Sequence, residues 1–516
     1  MSTDLFKAEA TRLADHLAET HGIKLKHTSV LSAIAALHGA RDWNTLIARQ
    51  KPGIVQRVTA AINGPARPAV VVELDEMLYD MSSKGLRYGF NKDSGATIDI
   101  DDAALCRHTL VVGPNGQGVT VLMEHLLTQQ ILRGGGALVL DPQSDLHLAT
   151  VVAQAAAKVG RETEHFTMLP SDLAKQAGIP VDAYDMLAGA DVTAQVARLL
   201  AGIYQHDAQD VDECYAVASI AELLTAILES LIAAGERTSL ARVAQLLAQP
   251  LQLLDLSAAV AEREPEVAAR LDAVMREFIR QTKSGTVLDE AAFKKAFGLA
   301  TARLSQLARH HRAGGKSARS LDTNKLLEEN QVAYIGFPAY MPNMSTAFSD
   351  VMVEHVVQAL HNRLALLSAQ RAWARTGKVS KNRNTEAPFL LVLPWCGSLL
   401  SPIALRRLMN FGRAANVALV LHVGSISELE GMGKPVMNDV LMNTRQKVFF
   451  RQSAPHAIEL SAGCLTAAGA VSDGPDAGQA LSQLKSRLAQ LSLGEAILAA
   501  DQSVHNLRVQ MVRLDD

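Results

Sequence analysis

One stretch constrains the fold of this chain more than any other: HTLVVGPNGQGVTVLMEHLL, from His108 to Leu127. An apolar, β-branched run is followed at once by three glycines, Gly113, Gly116 and Gly118, and then by helix-forming residues. Glycines permit positive φ and close backbone approach, so successive N–H groups and the helix N-terminus can cradle phosphate oxygens. The segment Gly113, Asn115, Gly116, Gln117, Gly118, Val119 and Thr120 is therefore the candidate nucleotide loop. Its pattern, GxxxxGK[ST], needs a lysine where this chain has Val119, although Thr120 is retained. A second buried strand, ALVLD, starts after Gly134, Gly135 and Gly136, and the resulting β-loop-α-β unit implies a parallel sheet.

The remaining segments are consistent with a larger α/β architecture. At 516 residues the chain is long enough for several units. Residues 1–50 read as a small helical unit and 51–68, with Gly64, Pro65 and Pro68, as a linker. Strand patterns begin with AVVVEL, GLRYGF and ATIDI, the last two around a turn at Asn91, Lys92, Asp93 and Ser94. The first half of the core spans 69–190. Strand patterns then vanish over 191–330, where Ile220, Leu223, Leu224, Ile227, Leu228 and Leu231 recur at helical spacing and Gly235 stops the helix. An all-helical insertion is expected there. The sheet resumes over 331–516 with QVAYIGF, FLLVL, NVALVLHV, KVFFR and EAILAA. The apolar stretch Ala387–Leu405 is broken by Pro394, Gly397 and Pro402, so it is expected to be a buried strand and loop and not a membrane span.

Several of these segments, in this order, resemble the TraD/TraG-type conjugative coupling proteins and their FtsK/HerA relatives. His108 ahead of the loop, Asp141-Pro142-Gln143-Ser144-Asp145 after the second strand, the helical insertion, NKLLEENQVAYIGFPAY, FGRAANVALVLHV and NTRQKVFFR each resemble a family segment. The resemblance implies that Asp141 belongs to the nucleotide site, while Asp141 and Asp145 read equally as turn residues. The resemblance implies a RecA-like P-loop NTPase core with an all-helical insertion and a small helical N-terminal domain. It also implies what is missing. In FLLVLPWCGSLL the family has an Asp-Glu pair that serves Mg²⁺ and the attacking water, and this chain has Pro394 and Trp395. The family's sensor glutamine falls at Gly424 or a neighbour. With Val119 these replacements imply no catalytic residue, no metal, and weak ATP and Mg²⁺ binding at most. The implied function is a pseudo-ATPase scaffold or adaptor in DNA transfer, working with an active coupling ATPase or secretion proteins in a homo- or hetero-oligomer. Alternative readings are an active translocating ATPase completed by a neighbouring subunit, and a DNA-binding plasmid regulator.

Charge adds less. Fifty-three acidic against fifty basic residues give a net charge of −3, so any DNA contact must be local. The acid-free run with Arg371, Arg375, Lys378, Lys381 and Arg383 is the candidate DNA-binding segment, and a second run holds Arg303, Arg309, His310, His311, Arg312, Lys316 and Arg319. Solvated loops are the commoner explanation of such runs. The widely separated Cys106, Cys214, Cys396 and Cys464 are expected to be reduced, buried thiols of a cytoplasmic protein, for which any association with the inner membrane would run through partners.

Overall fold

Apolar runs such as Leu110–Val112 and Phe389–Leu393 have no polar face to offer water, so strands built from them need cover on both sides. A computed structural model shows that arrangement. It describes residues 70–73, 84–167, 185–187, 189–205, 210–282, 285–310, 321–336, 342–375, 387–471, 476–501 and 503–513. The expected helical unit and linker at 1–68 lie outside the described residues.

The described chain begins with β1 (Val70–Glu73), the hairpin β2 (Gly85–Asn91) and β3 (Thr97–Asp101), the short α1 (Asp102–Leu105) and β4 (Thr109–Val112). The hairpin turn is held as its sequence suggests: Asn91 Oδ1 accepts from the N–H groups of Asp93 and Ser94 at 2.9 and 3.1 Å. Then come α2 (Val119–Leu132), β5 (Ala137–Asp141), α3 (Leu146–Lys158) and β6 (Thr163–Thr167). The insertion carries α4 (Val192–Ile203), α5 (Val211–Ala233), α6 (Leu240–Ala248), α7 (Leu251–Ala261), α8 (Pro265–Met275), β7 (Ile279–Thr282), β8 (Gly285–Leu288) and α9 (Glu290–His310). After α10 (Thr323–Glu328) and β9 (Val332–Gly336) comes the long α11 (Pro342–Arg375). The last part holds β10 (Phe389–Leu393), α12 (Cys396–Leu399), α13 (Pro402–Gly412), β11 (Val417–Val423), α14 (Ile426–Gly431), α15 (Lys434–Asn443) and β12 (Gln446–Phe450). It ends with α16 (Pro455–Ala467), α17 (Ala477–Gln490), β13 (Glu495–Ala500), β14 (Ser503–Arg508) and β15 (Gln510–Arg513).

Eleven strands form one sheet in the order β3-β2-β14-β13-β12-β4-β11-β10-β5-β9-β6. From β12 to β6 every neighbouring pair is parallel, and from β12 to β3 every pair is antiparallel. Alternate residues of the parallel strands enter different cores. Leu110, Val112, Leu391, Leu393, Leu419 and Leu421 pack with the insertion and later helices, whereas Val111, Leu390, Val392, Val420 and Phe450 pack with α2 and α3. Parallel pairing also puts the C-terminal ends of β4, β11, β10 and β5 on one edge, where ligands bind in open α/β sheets.

The insertion departs from expectation in one place, because β7 and β8 pair as an antiparallel hairpin. Ile279, Thr282, Thr286 and Val287 are β-branched, a signal that the helical flanks concealed. Phe278, Phe293 and Phe297 stack edge-to-face at centroid distances of 5.0–5.4 Å and anchor its foot. Helix α5 ends as the sequence indicates: Gly235 takes φ 73°, and Glu236 N–H donates to the Leu231 carbonyl. Among the described helices α5 alone is long and apolar enough by itself to cross a membrane, yet Ile220, Leu223, Leu224, Ile227, Leu228 and Leu231 are packed in the core. The first two turns of α5 stand free of that packing, which corrects the expectation of four buried thiols. Cys106 and Cys396 are buried, but Cys214 is exposed and Cys464 is only partly covered.

Asp350 on α11 offers a measurable consequence of burial. It is 2% exposed, one oxygen accepts from Ser401 N–H at 3.0 Å, and burial pushes its pKa up to about 7. A carboxyl that holds its proton more tightly when folded favours folding at low pH, and this contribution is lost as pH rises from about 4 to about 7. We expect Asp350→Asn to remove a slope of roughly 1.4 kcal/mol per pH unit across that window. Denaturant unfolding of both proteins at pH 5, 6, 7 and 8 checks this. Parallel pH profiles for the two proteins would refute it.

Candidate nucleotide-loop site

The glycine loop forms where the sequence puts it, between β4 and α2. Gly116 and Gly118 take φ values of 76° and 102°, which β-carbon-bearing residues rarely adopt. The loop is tied down at both ends. Gly113 N–H donates to the Val423 carbonyl at 3.0 Å, and Gly494 N–H donates to the Gln117 carbonyl at 3.0 Å. A β-carbon on Gly118 would come within 3.1 Å of the Gly494 Cα, so the glycine also permits this close approach. Asn115, Gly116 and Thr120 are exposed, and Gly118 caps α2 with no side chain. The first N–H groups of α2 therefore keep the capacity to meet an anion.

Val119 has the opposite character. It is 5% exposed, belongs to the core beneath α2, and its Cγ2 lies 2.9 Å from where a β-carbon on Gly113 would stand. An apolar branch fills the space under the loop and brings no positive charge to it.

Beyond the loop, the ends of β10 and β11 complete the site. Pro394 is buried, and Trp395 takes the left-handed conformation at φ 55°. The Trp395 indole stands edge-on to the His422 ring at 4.5 Å between centroids. His422 was not among the residues expected here. Its Nδ1 accepts from Trp395 N–H at 3.3 Å, so Nε2 carries the proton and donates to the Gly113 carbonyl at 2.9 Å. Burial pushes its pKa down to about 4, and the ring is a neutral strut between β10 and the loop. Gly424 has no room for a side chain: its β-carbon would fall 2.7 Å from Glu428 Oε1 and 2.9 Å from Trp395 Cζ3.

Glu428 is the acidic side chain beside Trp395 and Gly424, and it too went unnoticed in the sequence. Its carboxylate accepts from the backbone N–H groups of Gly424 and Ser425, while Ser425 Oγ accepts from Ser427 N–H at 3.0 Å. S-I-S-E is a capping box that starts α14, and that pattern was available to find it. Burial raises its pKa. The cap occupies the carboxylate.

Asp141 ends β5, separated from β4 by β11 and β10, or roughly 14 Å at ordinary strand spacing. It is 2% exposed and fully used. Oδ1 accepts from Gln143 N–H at 2.8 Å, and Oδ2 accepts from Asp145 N–H at 2.8 Å and Tyr334 O–H at 2.6 Å. Asp145 in turn caps α3. Both carboxylates are thus accounted for by the turn.

The structure brings Val119, His422, Gly424, Trp395 and Glu428 together around the loop and leaves Asp141 to a turn of its own. A Mg²⁺-nucleotide does not fit these residues: Val119 supplies no cation, Pro394 and Trp395 supply no carboxylate, and Glu428 is committed to its helix cap. Among the described residues no group of three or more His, Cys, Asp or Glu side chains could hold a metal ion. Arg371 and Arg375 continue helix α11, while Lys378, Lys381 and Arg383 lie outside the described residues. Of the second basic run, Arg303, Arg309 and His310 belong to α9, and His311, Arg312, Lys316 and Arg319 lie outside the described residues.

A parallel-dominated sheet covered on both faces, with a glycine loop between β4 and α2, defines the RecA-like P-loop NTPase fold. Solved structures share it. The unbound bacterial conjugative coupling protein TrwB, lacking 70 N-terminal residues, matches with a TM-score of 0.54 at 14% identity, over 88% of this chain and 98% of its own. TrwB with a non-hydrolysable ATP analogue matches at 0.54 and 14% over 88% and 97%, and TrwB with ADP and Mg²⁺ at 0.52 and 13% over 87% and 95%. Residues 1–74 match the model of a family described as glyoxalase superfamily protein, a short part of the chain that lies almost wholly outside the described residues. No curated protein sequence matches the chain.

Proposed function

We propose that this chain is a catalytically degenerate relative of conjugative coupling ATPases, acting as a scaffold or adaptor in DNA transfer. The observation that carries this reading is the Trp395–His422–Gly113 strut. A fold whose likeness to TrwB spans most of both chains keeps its glycine loop, but Pro394 and Trp395 stand in place of the carboxylates, and the Trp395 backbone N–H and indole edge meet His422, whose ring braces the loop. Phosphoryl transfer depends on positioned charge, and here the cation, the metal carboxylate and the base are absent together. The retained fold would then serve assembly, with an active coupling ATPase or secretion proteins as partners in the cytoplasm. The basic run Arg371, Arg375, Lys378, Lys381 and Arg383 is the segment we propose for any contact with DNA.

The test is direct. Titration calorimetry with Mg-ATP is expected to show no binding tighter than about 1 mM, because the remaining loop amides act without a cation. Phosphate release is expected to stay at background with and without single-stranded DNA. Micromolar binding with DNA-stimulated turnover would instead establish a working ATPase.

A further inference from the structure

At the edge of the sheet opposite the glycine loop lies a cavity of about 330 Å³ lined by Arg107, His108, Met409, Asn410, Arg413, Met442, Asn443 and Arg445. Three arginines from separate elements meet there. Arg107 precedes β4, Arg413 follows α13, and Arg445 precedes β12. The strands between this edge and the loop are four and five residues long, which separates the two sites by roughly 13 Å. The Arg406–Asp439 ion pair at 2.9 Å ties α13 to α15 and holds the wall.

Charge accounting shows why a ligand is wanted. Arg107 is paired with Asp501 at 2.9 Å, but the exposed Arg413 and Arg445 side chains have no carboxylate partner among the described residues. The C-termini of α13 and α15 open on the cavity, and each supplies about half a negative charge. Three cations against one aspartate and two helix ends leave about one positive charge uncompensated. His108 forms the floor as a neutral ring, its Nδ1 accepting from Leu419 N–H at 3.2 Å. Asn410 and Asn443 add amide donors, and Met409 and Met442 give an apolar wall. The volume exceeds what a bare phosphate fills and leaves space for a sugar.

We propose that this pocket binds a phosphate group, gripped by Arg413 and Arg445 with Arg107 behind them. Planar guanidinium forks match phosphate oxygens in a way that a scattered surface charge does not. The phosphate has two chemical sources, the monoester of a mononucleotide or 5′-end and the diester of a DNA backbone.

The experiment uses the full chain and four probes at low salt: inorganic phosphate and adenosine monophosphate by calorimetry, and a 3′-labelled single-stranded oligonucleotide with and without a 5′-phosphate by anisotropy. We expect sub-millimolar binding of at least one nucleotide probe, weakened at least about tenfold by Arg413→Ala with Arg445→Ala and less by the paired Lys variants. Both positions are exposed, so melting should be unchanged, and the Lys pair serves if the Ala pair does not fold. Preference for the monophosphate and the 5′-phosphorylated strand assigns a monoester site. Equal binding of both strands, lost in the double variant, assigns the diester. Absence of binding by every nucleotide probe, or binding that the double variants leave unchanged, overturns the proposal. None of these readouts depends on ATP hydrolysis.

Discussion

Val119→Lys alone is expected to yield no phosphate release above background under saturating Mg-ATP, although it restores the lysine of the nucleotide loop. Each missing charge-stabilising group typically costs a factor of about 10²–10³ in rate, so restoring one of three leaves the deficit at several orders of magnitude. The local structure works against the repair as well. Position 119 is 5% exposed and packs under the loop, so a lysine there must either bury its ammonium or push Gly113 and the top of β4 aside. At the far side Trp395 still presents an indole, and the Pro394 ring supplies neither a carboxylate nor an N–H. The triple variant Val119→Lys, Pro394→Asp, Trp395→Glu is expected to bind Mg-ATP before it hydrolyses it, because it restores a cation and a carboxylate and removes the indole's bulk while Gly424 still offers no side chain to the γ-phosphate. Calorimetry and phosphate release on both variants check the order. Turnover by Val119→Lys alone would show that Glu428 or another acid serves the metal, and the degenerate reading would then be wrong.

The second large effect concerns stability. Asp141→Ala is expected to lower unfolding free energy by about 3 kcal/mol, since it strands the N–H groups of Gln143 and Asp145 and leaves the Tyr334 hydroxyl only its longer bond to the Asp145 carbonyl, at 3.1 Å, in place of a carboxylate 2% exposed to water. Tyr334→Phe removes a single donor and should cost about 1 kcal/mol. Asp141→Asn should fall between, because an amide offers one acceptor where three donors converge. Midpoints of urea unfolding, at constant slope, give the comparison. If Asp141→Ala unfolds with the midpoint of the parent protein, the carboxylate is not holding the turn and a ligand role for it must be reconsidered.

Sequence alone was enough for the parts of this protein that local chemistry determines. Apolar runs, most of them with a Gly or Pro close by, located β4, β5, β9, β10, β11, β12 and β13, because a strand covered on both faces cannot tolerate polar alternation. Gly116 and Gly118 marked the loop since few other residues adopt their φ values, and Val119, Pro394 and Trp395 stood out as the wrong chemistry at ordered positions. The hairpin β7–β8 escaped notice, as short strands flanked by helices give too few alternations to read.

Tertiary structure decided the rest, because it alone brings distant residues within hydrogen-bond reach. His422 lies 309 residues from Gly113 in sequence, and nothing local announces that its ring braces the loop. Asp141 looked like a member of the nucleotide site from its place after a strand, but strand order puts β11 and β10 between it and the loop, and Tyr334 takes its carboxylate. Arg107, Arg413 and Arg445 are unremarkable as single cations in a chain with balanced charge. They line one cavity only because parallel pairing of β4 and β12 aligns the starts of both strands beside the end of α13.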